Sequence, residues 1–278
     1  MADAAVEAVT VKNAKLAGMT VEQAVNELLA IISVAFILMM QLGFALIENG
    51  TVRCKNSKNI LIKNLFDACA GALAFWLFGF ALAFGHESHG GFIGTDSGLF
   101  ASSSFDEKDE NFYLVWIFQF SFAATSATIV SGSLAERTQL PAYLGFSVLM
   151  TGFIYPTVVG WVWGGGWLGD ANEAGKGFHD FAGTGIVHMV GGVSGFIGAL
   201  IIGPRHKKEK SPAQQRSLVT SAEYLALKEK QEAPQEFERW MIQMADDDDF
   251  ENNSFPFIVF GTFFLWCSWL FFNGGSTY

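Results

Sequence analysis

The chain has 278 residues, 51% hydrophobic and 15% aromatic but only 16% charged, with a net charge of −10 and a mean hydropathy of +0.31. Soluble globular chains carry about 25% charged residues, so the solvated surface of a soluble enzyme is lacking. The acidic balance without a basic face excludes a nucleic-acid binder, and the long apolar runs exclude a disordered tail.

A bilayer-spanning helix needs about 20 mostly apolar residues. Six stretches satisfy this: Leu28–Ile47, Leu65–Gly85, Leu114–Leu134, Ala142–Trp163, Gly183–Gly203 and Phe255–Gly275. The fold class is an all-α polytopic membrane protein. Residues 1–27 read as an extracellular N-terminal segment without a cleavable signal, because the first apolar run is too long for one. Thr20 and Gln23 have the spacing of a capping box leading into the first span.

Orientation follows from the basic residues. Arg53, Lys55, Lys58 and Lys63 follow the first span and Arg137 follows the third. Arg205, Lys207, Lys208, Lys210, Arg216, Lys228, Lys230 and Arg239 follow the fifth. The opposite side holds Lys12, Lys15, Lys108 and Lys176. The basic side is predicted cytoplasmic and the N-terminus outside.

The outer connection 85–111 carries Glu87, Asp96, Asp106, Glu107, Asp109 and Glu110 against Lys108. It either concentrates cations or is a solvated loop. His86 and His89 there lack a third ligand, and neither a metal site nor a cofactor is expected. The inner segment 204–253 turns from basic to acidic. Over 235–245 the residues Phe237, Trp240, Met241 and Met244 form one apolar stripe of an amphipathic helix. That helix lies on the membrane surface, packs under the bundle, or offers a partner a docking face. Asp246–Asp249 lacks EF-hand spacing and reads as a linker. The glycosylation triplets at Asn49 and Asn252 fall on the cytoplasmic side and are expected to go unused. Cys54, Cys69 and Cys267 are too scattered for a disulfide framework.

Polar residues inside the spans carry more information, because ionisable groups there are costly and mark pathways. His188 lies deep in the fifth span. It is either a packing residue bonded to a neighbouring helix or a neutral imidazole able to accept or relay a proton. Gln119, Ser121, Thr125, Ser126, Thr128 and Ser131 give the third span more polar groups than a lipid-facing helix needs. Gly191, Gly195 and Gly198 share nearly one face and predict close helix packing.

Several motifs in order resemble the ammonium transporter family (the Amt/Mep/Rh superfamily), closest to its plant and animal-type Amt branch. They are Met40-Gln41-Leu-Gly-Phe-Ala, Val52-Arg53-Cys-Lys55-Asn56, Phe118-Gln-Phe-Ser-Phe122, Ser133-Leu-Ala-Glu-Arg137, Trp163-Gly-Gly-Gly-Trp167, Asp180-Phe-Ala-Gly with Val187-His188, and Phe272-Asn-Gly-Gly-Ser276. The resemblance implies a transporter, not an enzyme. It implies an outer vestibule at Trp163, Ser276 and Phe118 that recruits ammonium, with methylammonium as an analogue. Below it, Phe122 and Phe272 match a pair of stacked gating rings, His188 a pore histidine, and Asp180 a buried acid near the entrance with a structural role. No catalytic residue is implied.

Family members are built as two inverted five-helix repeats, eleven helices in all, and assemble as homotrimers in the plasma membrane. On that pattern this sequence holds the first repeat (28–203), an unusually long inner loop (204–253) and the first helix of the second repeat (254–278). The expectation is an incomplete form, since half a pore would expose polar helix faces that lipid cannot satisfy. An ammonium sensor, or a non-conducting truncated subunit that modulates full-length trimers, is the alternative.

Overall fold

In lipid each backbone N–H and C=O needs a partner within the protein, and the architecture meets that demand with helices. A computed structural model describes residues 20–85, 91–105, 112–169, 177–205 and 252–277. Six helices there are long and apolar enough to span a membrane: α1 (Val21–Thr51), α2 (Cys54–Phe84), α3 (Phe112–Leu134), α4 (Leu140–Val162), α5 (Thr184–Ile202) and α6 (Phe255–Gly274). No strand occurs among the described residues. The chain is an all-α integral membrane protein. The stripe at 235–245, the pair His86 and His89, and Asp246–Asp249 lie outside the described residues.

Two spans start earlier than hydropathy alone predicts. α1 opens at Val21, where Thr20 Oγ1 accepts from the Gln23 N–H at 3.1 Å and Gln23 Oε1 accepts from the Thr20 N–H at 2.8 Å. This reciprocal cap satisfies two orphan donors. α2 opens at Cys54, so Lys63 belongs to a span and not to a connection. A lysine is admitted there because Glu48 pairs with it at 2.9 Å.

α3 is the central helix. Ser121, Thr125, Ser126, Thr128 and Ser131 are all fully buried in it, so its hydroxyls serve the interior. α1 packs most extensively against α6, and α3 packs against α1 and α5. The α1–α6 crossing depends on small residues: a Cβ on Gly261 would lie 2.6 Å from the Gly43 carbonyl oxygen. Along α5, a Cβ on Gly191, Gly195 or Gly198 would meet Ser126, Ser133 or Leu134 of α3 within 2.8 Å.

Three spans contain a widened π turn, at Phe75–Gly79 in α2, Met150–Ile154 in α4 and Thr184–Met189 in α5. In α4 the cause is local. Pro156 has no N–H to return to the preceding turn, and the ladder shifts so that the Tyr155 N–H reaches the Met150 carbonyl.

The connections α1–α2, α3–α4 and the chain leaving α5 meet on one face around Glu136, whose side chain is fully buried. Its Oε1 accepts from the Arg53 N–H, from Arg53 Nε and from Asn56 Nδ2, and its Oε2 accepts from Arg205 Nη1 at 2.9 Å. Burial raises this carboxyl, but the bonds from Asn56, Arg53 and Arg205 outweigh it and hold the pKa at about 2. On the same face the end of α1 receives the start of α6: the Asn253 N–H donates to the Val52 carbonyl and the Ser254 N–H to that of Gly50. Asn49, the asparagine of the first glycosylation triplet, is buried there.

Candidate functional site

Asp180 precedes α5 and is 7% exposed. Its Oδ1 accepts from the N–H groups of Gly183 at 2.8 Å and Thr184 at 3.0 Å. Oδ2 accepts from those of Gly185 and Ile186, both at 2.8 Å. A helix start leaves four N–H groups without intrahelical partners, and one carboxylate takes up four donors here, in the region where the helix dipole favours negative charge. Gly183 makes this possible with φ at +87°, a conformation that disfavours any Cβ. A Cβ there would also lie 2.6 Å from Val187 Cγ2.

The turn that follows carries His188. The Gly183 carbonyl accepts from both the Val187 and His188 N–H groups. Ser126 of α3 donates to the Val187 carbonyl at 3.1 Å, tying the turn to the central helix. Among the described residues no hydrogen bond reaches the imidazole. Its neighbours are rings of α6: Phe272 with centroids 5.4 Å apart and Trp269 at 6.5 Å.

A continuous line of rings runs on from there. Phe272 meets Phe122 at 4.5 Å, Phe122 meets Trp163 at 5.8 Å, and Phe118 meets Phe122 at 5.0 Å. The two phenylalanines are not stacked face to face. Their planes stand at 68°, because edge-to-face contact sets the positive ring edge on the negative face. Trp163 is fixed from below: its Nε1 donates to the Asp180 carbonyl at 2.6 Å. The structure thus brings Trp163, Phe118, Phe122, Phe272, His188 and Asp180 together. Ser276 joins from the short 3-10 turn Gly275–Thr277 that follows α6, donating from Oγ to the Phe272 carbonyl at 2.8 Å. The neighbouring Gly275 places its α-carbon where a Cβ would be 3.7 Å from the Phe118 ring and would run into Ser33 Oγ.

The sequence profile of the Ammonium Transporter Family matches residues 28–226 and 238–278. The chain belongs to the ammonium transporter family. This family member is 40% identical over 233 residues to ammonium transporter 1 member 2 of Arabidopsis thaliana, covering 82% of this chain and 39% of that protein. It is 36% identical to ammonium transporter Amt2 of Archaeoglobus fulgidus, covering 89% of this chain and 46% of that one. Among solved structures it resembles a sensor Amt protein (30% identity, TM-score 0.70), covering 91% of this chain and 54% of that one. It also resembles Mep2 of Candida albicans (27% identity, TM-score 0.63), covering 91% and 48%. The chain spans less than half the length of the curated relatives named here.

Two features of this ammonium-transporter-family chain are not apparent in its sequence. The first is a pair of fully buried hydroxyls, Ser33 of α1 and Ser268 of α6, that have no hydrogen-bond partner among the described residues. Ser268 sits one turn before Phe272. The second is a polar cluster between α1, α2, α3 and α4, holding Glu48, Lys63, Asn64 and Asp67 with Tyr143 and Ser147. Asn64 Nδ2 donates to Glu48 Oε2 at 3.1 Å, and Ser147 donates to Asp67. The signal available in sequence was a lysine four residues before an aspartate at the start of an apolar run, a pattern equally typical of a span boundary. Among the described residues no three His, Cys, Asp or Glu side chains gather as metal ligands.

Proposed function

We propose that this chain supplies the first repeat and the opening helix of an ammonium transporter. The observation that carries the proposal is the unbroken ring line from Trp163 through Phe122 and Phe272 to His188. In this reading the Glu136 face is cytoplasmic and the N-terminus lies outside, in keeping with the Lys and Arg distribution. The whole protein works in the plasma membrane as a homotrimer.

Ammonium is recruited at Trp163, Phe118 and Ser276. An indole face attracts a cation by about 2 kcal/mol when desolvated, and the Ser276 oxygen keeps lone pairs to accept an N–H. The edge-to-face pair Phe122 and Phe272 closes the path. Beyond it His188, walled by aromatic rings, accepts a hydrogen bond from ammonia or takes part in proton transfer. Potassium donates no hydrogen bond and releases no proton, so it bears the full penalty of entering an apolar passage. Ammonium escapes that penalty by leaving its proton behind and crossing as ammonia.

The test is uptake of labelled methylammonium by cells producing the whole, full-length transporter. Trp163→Leu raises the concentration needed for half-maximal uptake, and an unchanged concentration dependence removes Trp163 from the recruiting site. His188→Ala alters flux or ion discrimination; if both persist, the imidazole has no part in passage. A second reading, ammonium sensing without conduction, is favoured by the likeness to the sensor Amt protein. It predicts ammonium binding at Trp163 with no uptake above background.

A further inference from the structure

Lys63 is 7% exposed, and three different acceptors converge on its ammonium head. Nζ lies 2.9 Å from Glu48 Oε2 of α1. It donates to the Ser131 carbonyl of α3 at 3.0 Å. It stands 4.8 Å from the ring centroid of Tyr143 of α4. An ammonium group on a lysine has three N–H donors, and there is one wall for each: a carboxylate, a carbonyl and an aromatic face. A simple ion pair that pins two helices needs only the first. The carboxylate is itself prepared, with Asn64 Nδ2 bonded to Oε2, while Glu48 is 4% exposed and its other oxygen, Oε1, finds no partner among the described residues. A buried carboxylate oxygen with no donor is an incomplete arrangement.

We propose that this cage between α1, α2, α3 and α4 recognises a small ammonium head group, NH4+ or a primary alkylammonium, and that Lys63 is its tethered occupant. The acceptors and the ring face are those that recognise such a cation. The assignment rests on α1 to α4 alone and is independent of the ring line from Trp163 to His188.

Removing the tether should create a site for the free ion. Lys63→Ala deletes a fragment equivalent to propylammonium and leaves Glu48 buried without a cation, which is strongly destabilising. The experiment is thermal unfolding of the purified chain in detergent at neutral pH. Ammonium, methylammonium or propylammonium chloride is compared with sodium, potassium and tetramethylammonium chloride at equal ionic strength. Lys63→Ala melts below the parent, and ammonium, methylammonium and propylammonium raise its midpoint by roughly 3–6 °C more than sodium or potassium does. The parent, Lys63→Met, whose stem fills the space, and the double variant Lys63→Ala/Glu48→Gln do not show this excess. Any stabilisation through the site at Trp163 appears equally in all four and is subtracted by the comparison. Equal rescue by sodium or potassium, equal gain in the parent, or no gain at all overturns the proposal. Where Lys63→Ala is not recovered, Lys63→Ser is grown with and without methylammonium, and the yield of folded protein is read. An unchanged yield likewise overturns it.

Discussion

Trp163 and Asp180, 17 positions apart, are locked by a hydrogen bond of 2.6 Å from the indole Nε1 to the Asp180 carbonyl. The carboxylate of the same aspartate caps the start of α5 through four N–H groups. The orientation of the indole and the position of His188 are therefore set by one residue.

Asp180→Asn keeps the shape but replaces one acceptor oxygen with an NH2 group facing the two N–H donors that Oδ2 now serves. Loss of charge-assisted bonds and two buried unsatisfied donors should lower stability by about 3 kcal/mol. Chemical denaturation of the purified chain measures this, and the emission of Trp163 should shift in step. A loss below about 1 kcal/mol would show that the carboxylate does not hold the α5 start.

Gly183→Ala places a Cβ on a residue at φ +87°, which costs about 1–2 kcal/mol by itself. The clash with Val187 adds to it. The unfolding midpoint should fall by several degrees, and a midpoint equal to that of the parent would refute the left-handed turn.

Phe272→Ala removes a ring that is 1% exposed and that touches both Phe122 and His188. The stability loss should be about 3–5 kcal/mol. If the ring pair excludes solvated ions, potassium flux should rise relative to methylammonium uptake in the same cells. An unchanged ratio would leave the pair with a packing role alone.

Glu136 links acid stability to the connections. Its folded pKa of about 2 lies below the ordinary value of 4.5, so its contribution is complete above about pH 4.5 and is lost as pH falls toward 2. Glu136→Gln should remove that part of the acid sensitivity and lower stability at neutral pH. A pH titration of unfolding for the two proteins decides it, and parallel curves through this window would contradict the assignment.

The six spans were legible because hydropathy over about 20 residues is a strong signal, and the cap at Thr20 was legible because its two side chains act locally. The start of α2 was not. Lys63 reads as a flanking charge until Glu48, fifteen positions earlier, is seen to neutralise it, and that pairing is tertiary. The candidate site could be approached only through its motifs. Among the 28 phenylalanines of the chain, nothing local distinguishes Phe122 and Phe272, whose contact depends on how α3 and α6 cross. The π turn at His188 was likewise out of reach, since it follows from the conformation of Gly183 and the hydroxyl of Ser126.

The segment joining α5 to α6 is fastened at both ends on the same face, at Arg205 through Glu136 and at Asn253 through Val52. With the ends already held, the closure entropy of a connection between them grows by only about 0.6 kcal/mol for each doubling of its length. The match to the family breaks off between residues 226 and 238, inside this stretch. A reporter inserted there would leave both fastenings, at Arg205 and at Asn253, untouched.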